Sequence, residues 1–416
     1  MTGLADCNNF FVSCERTLNR ELEGRPVVVL SNNDGCVIAR SNEAKRLGIR
    51  MGQPAFEIRD MMERGDVTAL SGNHLLYRDI SLRVHAILQR YAPQTLDYSV
   101  DESFLLMDGI PERELESIGI AICRTCWEEE HIPVTVGFAR SKTLAKIATE
   151  VGKKGGRKVV VLSDEAEVSA ICDKLSIGEL WGVGRRLTKR LYLDGVYTIG
   201  DFMRKPVLWV RGRLGVNGER SWRELHGEDC ITLDFKERKL QDSISETRTY
   251  PEDIDDFDYL RSRIAIYCAH VSRRLREQGG QCGAMSVFLQ TNRFHTERGY
   301  QSPSAGTIFN PPTADAAQIT HAGVALLESI FNPDISYKRA GVVLTDLTPA
   351  TYLAPSLFDE DNVELESRMK SRKLMNIVDH LNEGPGPHTV KIASQLTMGH
   401  PGHNDGYSSS FGVPTT

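Results

Sequence analysis

Thr2–Cys7 is small or apolar at every position but Asp6, and it predicts a buried strand with a carboxylate near its end. Residues 8–18 predict a helix packed on that strand. Two short β-rich runs, 26–30 and 36–40, flank the turn signal Asn32-Asn33-Asp34-Gly35. Helical segments follow from Asn42 and from Glu57, and a longer helix spans 73–91. Residues 95–100 and 103–107 predict a hairpin with Asp101 and Glu102 near its bend. A helix (111–130), a strand (133–139), a helix (142–151) and a strand (158–162) complete the unit. The order is β-α-β-β-α-β with an insertion near the front, the pattern of a ferredoxin-like α/β (α+β) sandwich.

Residues 163–235 predict a helical, glycine-punctuated region. From 236 to 347 helices alternate with β-like runs such as 282–289 and 340–345, which predicts a second α/β unit. Beyond Pro349 the chain turns polar, with one helical stretch at 364–381 and a tail rich in Gly, Pro, His and Ser that predicts loose order.

The 416 residues suffice for three or four domains. Apolar content of 40% and charged content of 25% are those of a soluble globular protein. No apolar run reaches the roughly 18 residues of a membrane span, and the first residues lack a basic-then-apolar leader. A cytoplasmic location without membrane contact is expected. Nine scattered cysteines then read as reduced thiols. Cys123 and Cys126 form a C-x-x-C pair in a predicted amphipathic helix with no second pair at zinc spacing, so they read as ordinary helical thiols. His400 and His403 in the tail carry no metal motif.

A net charge of −6 speaks mildly against nucleic acid, but its distribution does not. Residues 181–223 hold ten Lys or Arg against Asp194, Asp201 and Glu219, and 140–158 is also basic. Local fields of this kind suit tracking of phosphates.

Asp6 and the Asp101-Glu102 pair are the candidate chemistry. In a β-α-β-β-α-β sheet the first strand neighbours the hairpin, so three carboxylates can converge on one edge. They repel one another unless a cation compensates. Oxygen ligands suit magnesium, and two such ions about 3.5–4 Å apart would clamp an in-line phosphoryl displacement. Because adjacent strand residues face opposite ways, Asp101 and Glu102 can share a site only if the backbone bends there. Pattern alone also admits a plain solvated acidic turn, with Asp6 satisfied by backbone donors.

Longer motifs narrow the choice. Asp6-Cys7-Asn8-Asn9-Phe10-Phe11-Val12-Ser13-Cys14-Glu15 resembles the opening motif of Y-family DNA polymerases. Tyr98-Ser99-Val100-Asp101-Glu102-Ser103-Phe104 is similar to their second metal motif, and residues 136–146 are similar to a third. Residues 26–40 resemble the UmuC branch of that family. The likeness runs through about Leu381.

The resemblance implies a right-hand polymerase that extends primers past damaged template bases in the DNA-damage (SOS) response. Its ferredoxin-like palm would be 1–20 and 74–163, small fingers 21–73 and a helical thumb with a helix-hairpin-helix 164–235. An α/β little finger would be 240–349 and a UmuC-type tail 350–416. It implies two Mg2+ ions on Asp6, Asp101, Glu102 and the Cys7 carbonyl. Phe11 stands where the family places its steric gate against a 2′-hydroxyl; relatives usually carry Tyr, and Phe keeps the bulk. Phe10, Phe11, Ile38, Arg40, Lys45 and Lys153 would meet the incoming dNTP.

In the thumb, Gly182-Val183-Gly184 with Arg185, Arg186 and Lys189 reads as a hairpin that offers amides and a helix N-terminus to a phosphate of the primer-template DNA. Ser356-Leu357-Phe358 resembles a sliding-clamp peptide without its usual Gln, leaving Leu357 and Phe358 as its anchors. A UmuD-type dimer and a recombinase filament are the other implied partners. Two other readings share some of these features: a nucleotidyl cyclase, which needs no basic hairpin, and a DNA-binding accessory protein that has lost catalysis, which need not keep all three carboxylates.

Overall fold

The computed structural model describes residues 1–31, 35–233, 240–294, 299–350, 362–382 and 390. They fall into two compact units that divide near residue 235.

The first unit is built on a five-stranded sheet. Its strands are β1 (Thr2–Cys7), β5 (Gln94–Asp97), β6 (Glu102–Leu106), β7 (Val134–Ala139) and β8 (Val159–Leu162), in the order β5-β6-β1-β7-β8. The first four pair antiparallel in the ferredoxin-like order, and β8 adds a parallel edge strand beside β7. Every residue of β1 and β7 is buried, because helices cover both faces.

One face carries α1 (Phe10–Leu18), α4 (His74–Leu88) and α5 (Glu112–Glu130), whose buried side chains join Phe10, Val12, Tyr77, Val84, Ile122 and Phe138 in one core. The other carries α6 (Lys142–Gly155), which packs with Leu4, Phe104, Val160 and the helices after residue 163. α6 lies directly on β7: a Cβ on Gly137 would stand 2.4 Å from the Thr149 nitrogen and 2.7 Å from the Ala145 oxygen.

Between α1 and α4 the chain forms a small sheet, β3 (Val37–Arg40), β2 (Val27–Leu30) and β4 (Thr68–Ser71), with α2 (Asn42–Arg46) and α3 (Arg59–Glu63). β4 is a strand the sequence pattern missed. It is four residues long, pairs parallel with β2, and is half-exposed, so it leaves no run of apolar positions.

After β8 come α7 (Glu165–Cys172), α8 (Arg185–Leu193), α9 (Ile199–Met203) and α10 (Val207–Leu225). The end of α10 is locked onto the start of α6. Ser141, the α6 N-cap, donates to the Glu224 carbonyl (2.6 Å), and the fully buried Glu224 carboxylate accepts from the backbone of Thr143 (2.8 Å), Cys230 (2.9 Å) and Ile231 (3.0 Å). Such a carboxylate is tolerable because backbone donors surround it.

The second unit repeats β-α-β-β-α-β as β9 (Ile244–Ile254), α11 (Phe257–Glu277), β10 (Gly280–Gln290), β11 (Ser304–Thr313), α12 (Ala316–Ile330) and β12 (Tyr337–Pro349). Its antiparallel sheet has the order β11-β10-β12-β9, and the two helices bury Leu260, Ile264, Val271 and Ile319 in its core. β9 and β11, the two edges, were not separable from the sequence. β11 carries Pro311 and Pro312 in the stretch between Ile308 and Thr313 where its pairing with β10 is irregular, so neither has to donate to a regular ladder. α13 (Asn362–Leu381) is held to α11 by a two-bonded Arg276–Asp379 pair, 2.7 Å for each bond.

Among the described residues no helix is long and apolar enough to cross a membrane. The turn signal at Asn32 and the tail histidines lie outside the described residues. All nine cysteines are free, and Cys123 and Cys126 are buried.

Substituting Gly137→Ala should destabilise the first unit by about 1–3 kcal/mol, since backbone of α6 must retreat from β7. A denaturant midpoint unchanged from wild type would contradict this.

Candidate active site

The register of the sheet sets the site. Asp6 is the direct cross-strand partner of Glu102, so their side chains share a face. Asp101 precedes β6 in a bend, and its carbonyl accepts from the Cys7 amide (2.8 Å). Ser99 holds the bend: its hydroxyl donates to Asp101 Oδ1 (2.6 Å) and accepts from the Glu102 amide (3.1 Å). The bend that adjacent acidic residues require for a shared site is thus present.

Electrostatics shows the three carboxylates acting on one another. Burial pushes the Asp6 carboxyl up to about 6; Lys153 pulls against this by charge and hydrogen bond, and the charges of Glu102 and Asp101 push further up. Two lysines from one face of α6 offset the surplus. Lys153 meets Asp6 at 2.5 Å, and Lys146 meets Glu102 at 2.7 Å. Seven residues apart, they project from the same side of the helix two turns apart.

Hard oxygen donors are what a small divalent cation prefers, and the three carboxylates suit such a group in kind. In the present arrangement the lysines hold two of the carboxylates. Among the described residues no three acidic, His or Cys side chains gather closely enough to enclose an ion.

Lys146 also lies over aromatic rings, 4.6 Å from the Tyr98 centroid, 5.4 Å from Trp181 and 5.8 Å from Phe104. Trp181 donates its indole N–H to the Tyr98 hydroxyl (3.1 Å). The segment that leads into the basic hairpin therefore packs against the carboxylate edge.

A second cationic group borders Asp6 from α2, the helix after β3. Lys45 donates to Asn9 Oδ1 (2.6 Å) and Asn42 Oδ1 (3.3 Å). Burial, then the charges of Arg40 and Lys153, push its ammonium group below the ordinary range. Arg40 donates to the Ile49 carbonyl, while its Nε is buried without a partner. Ile38 and Arg40 alternate with the buried Val37 and Ala39, so both sit on the half-exposed side of β3.

Phe11 is half-buried and stacks on Tyr77. Phe10 is 3% exposed, and its ring belongs to the apolar core.

In the basic hairpin, Gly182 has φ 86, a conformation that favours glycine, and Gly184 caps α8. Arg185, Arg186 and Lys189 are all exposed. The expected first helix of this motif is a single 3₁₀ turn, Ile177–Glu179, closed by a Ser176/Glu179 capping box. Leu357 and Phe358 lie outside the described residues. Sequence reasoning assigned no role to Lys146 or Tyr77. The signal for Lys146 is its seven-residue spacing from Lys153, whereas Tyr77 reaches α1 only through the tertiary fold.

The impB/mucB/samB family profile matches residues 5–150 and the profile of that family's C-terminal domain matches 241–357. The UmuC protein of Salmonella typhimurium is 36% identical over 95% of this chain and 93% of its own length. The ImpB protein from the same species is 35% identical over 92% and 90%. DNA polymerase IV of Pelotomaculum thermopropionicum is 28% identical over 95% of each. A Y-family DNA polymerase chimera of Dbh and Dpo4 shares the fold, with a TM-score of 0.65 at 23% identity over 83% of this chain and 98% of that one. The fold and the sequence together mark a Y-family DNA polymerase. Within that class the chain belongs to the impB/mucB/samB family, the UmuC-type branch.

Because Asp6 is raised from 3.8 to about 6, the folded state holds its proton more tightly than the unfolded chain. The stability this provides is complete below about pH 4 and is lost as pH rises through about 6. Asp6→Asn should therefore melt at a higher temperature than wild type at pH 7.5 in EDTA, with the gap closing as pH falls from 6 towards 4. A variant that melts lower at pH 7.5 would contradict the assignment.

Proposed function

We propose that this DNA-directed DNA polymerase extends primers past damaged template bases in the cytoplasm, within the DNA-damage (SOS) response, with Asp6, Asp101, Glu102 and the Cys7 carbonyl holding two magnesium ions. The observation that carries the metal assignment is the cross-strand pairing of Asp6 with Glu102 beside the Asp101 bend. When bound, the ions lower the charge barrier to attack of the primer 3′-hydroxyl on the α-phosphorus and to departure of pyrophosphate.

The remaining roles belong to the chain itself. Lys153, released from Asp6, and Lys45 with Arg40 supply positive charge for the β- and γ-phosphates. Ile38 rests on the nascent base pair, and Phe11 fills the space a 2′-hydroxyl would need. A small fingers sheet encloses that pair loosely, a physical reason to tolerate lesions. Residues 1–20 and 74–163 act as palm, 21–73 as fingers, 164–235 as thumb and 240–349 as little finger. Gly182, Gly184, Arg185, Arg186 and Lys189 position duplex phosphates without reading sequence. A UmuD-type dimer, a recombinase filament and a sliding clamp, the last through Leu357 and Phe358, are the proposed partners.

Asp101→Asn should lower single-nucleotide primer extension on a gapped template by about 10²–10³-fold while DNA binding persists. Extension at the wild-type rate would remove the metal assignment. Arg185→Ala with Arg186→Ala should weaken DNA binding equally across sequences and lower the log–log salt slope by about 1 for each phosphate no longer neutralised. An unchanged salt slope would exclude the hairpin as a phosphate grip.

A further inference from the structure

Within α1, the Phe11 ring meets only obliquely that of Phe10, with centroids 5.9 Å apart and planes at 49°. Asn9, ahead of α1, is in the left-handed region (φ 49) and gives the helix no side-chain cap. Its support comes from α4. The Tyr77 ring lies against that of Phe11 with centroids 4.4 Å apart and planes 15° from parallel. His74, one turn earlier in α4, meets both rings edge-on at 5.8 Å.

Tyr77 is only 1% exposed, and its hydroxyl donates to Glu15 Oε1 at 2.5 Å. Glu15 stands four residues after Phe11, on the same face of α1. Tyr77 thus grips α1 at two points one turn apart, by its ring at Phe11 and by its hydroxyl at Glu15. Burial raises the Glu15 carboxyl above its ordinary range while the Tyr77 hydrogen bond pulls it down. Packing this seam with apolar side chains would avoid that burial. A hydrogen bond adds what packing does not, a preferred direction.

We propose that Tyr77 is a specificity-determining positioning residue, which, stacked on Phe11 and tethered to Glu15, sets the height of the Phe11 ring against the sugar and so the discrimination between deoxy- and ribonucleoside triphosphates. The inference rests on Phe11 being the sugar gate. A gate works by excluded volume, so its rigidity matters as much as its bulk. A ring free to yield by a fraction of an ångström admits the hydroxyl, whereas one backed by a buried, tethered ring does not.

The test is single-nucleotide extension on undamaged template with dCTP and CTP, for wild type, Tyr77→Phe, Tyr77→Leu and Phe11→Ala. The readout is the ratio of the two kcat/KM values, from which a general loss of folded enzyme cancels. Tyr77→Phe, which keeps the stack and loses the tether, should lower the dCTP preference about threefold. Tyr77→Leu, which loses both, should lower it about tenfold. Combined with Phe11→Ala it should add nothing further. If Phe11→Ala relaxes the ratio while both Tyr77 variants keep the wild-type value, this inference is overturned and the gate reading stands. If Phe11→Ala itself leaves the ratio unchanged, the gate reading falls and takes the inference with it. Should Tyr77→Leu fail to fold, Tyr77→Phe decides alone.

Discussion

Like charges at the open end of a sheet are the constraint on which this structure turns. Pairing β1 with β6 places Asp6 opposite Glu102, and the Ser99 bend adds Asp101. Burial itself raises the Asp6 carboxyl to about 6, with Lys153 opposing and the charges of Glu102 and Asp101 adding to the rise. The fold compensates with Lys146 and Lys153 from a single helix. That compensation depends on α6 lying against a glycine in β7, close enough for both side chains to reach the edge. A site held by exchangeable lysines differs from one neutralised by fixed packing.

Side chains from several neighbouring elements converge on this edge. Lys146 is sandwiched by rings from the β5–β6 connection, from β6 and from the segment before the basic hairpin. Lys45 approaches from α2 and Arg40 from β3. Behind Phe11, Tyr77 couples α4 to α1. The buried Glu224 accepts three backbone amides on its carboxylate and the Ser141 hydroxyl on its carbonyl, and so ties α10 to the helix that carries both lysines. Each connection places a charged or aromatic side chain where a few tenths of an ångström matter.

How much of this the sequence discloses follows from what is local. Continuous apolar runs at 2–7 and 134–139 and the hairpin flanking Asp101 are readable because period and punctuation agree there, and so is the ferredoxin-like order. β4, β9 and β11 are not. One is half-exposed and shows no apolar run, one is rich in charge, and one contains two prolines. The carboxylates are legible as candidates, but their register is not, since Asp6 and Glu102 are brought opposite each other by pairing across about a hundred residues of chain. Phe10 and Phe11 are neighbours in sequence, and the resemblance puts the gate at Phe11 alone. Helical rotation of about 100° per residue buries the Phe10 ring and leaves that of Phe11 half-buried.

Asp6, Asp101 and Glu102 are proposed to gather a pair of divalent cations at one point of the sheet. Electron paramagnetic resonance of Mn2+ bound to the protein with primer-template and a non-hydrolysable dNTP measures this directly. Two Mn2+ per chain are expected, coupled at about 3.5–4 Å, with the coupling abolished in Glu102→Gln. Uncoupled manganese, or a coupled pair that survives that substitution, would contradict it.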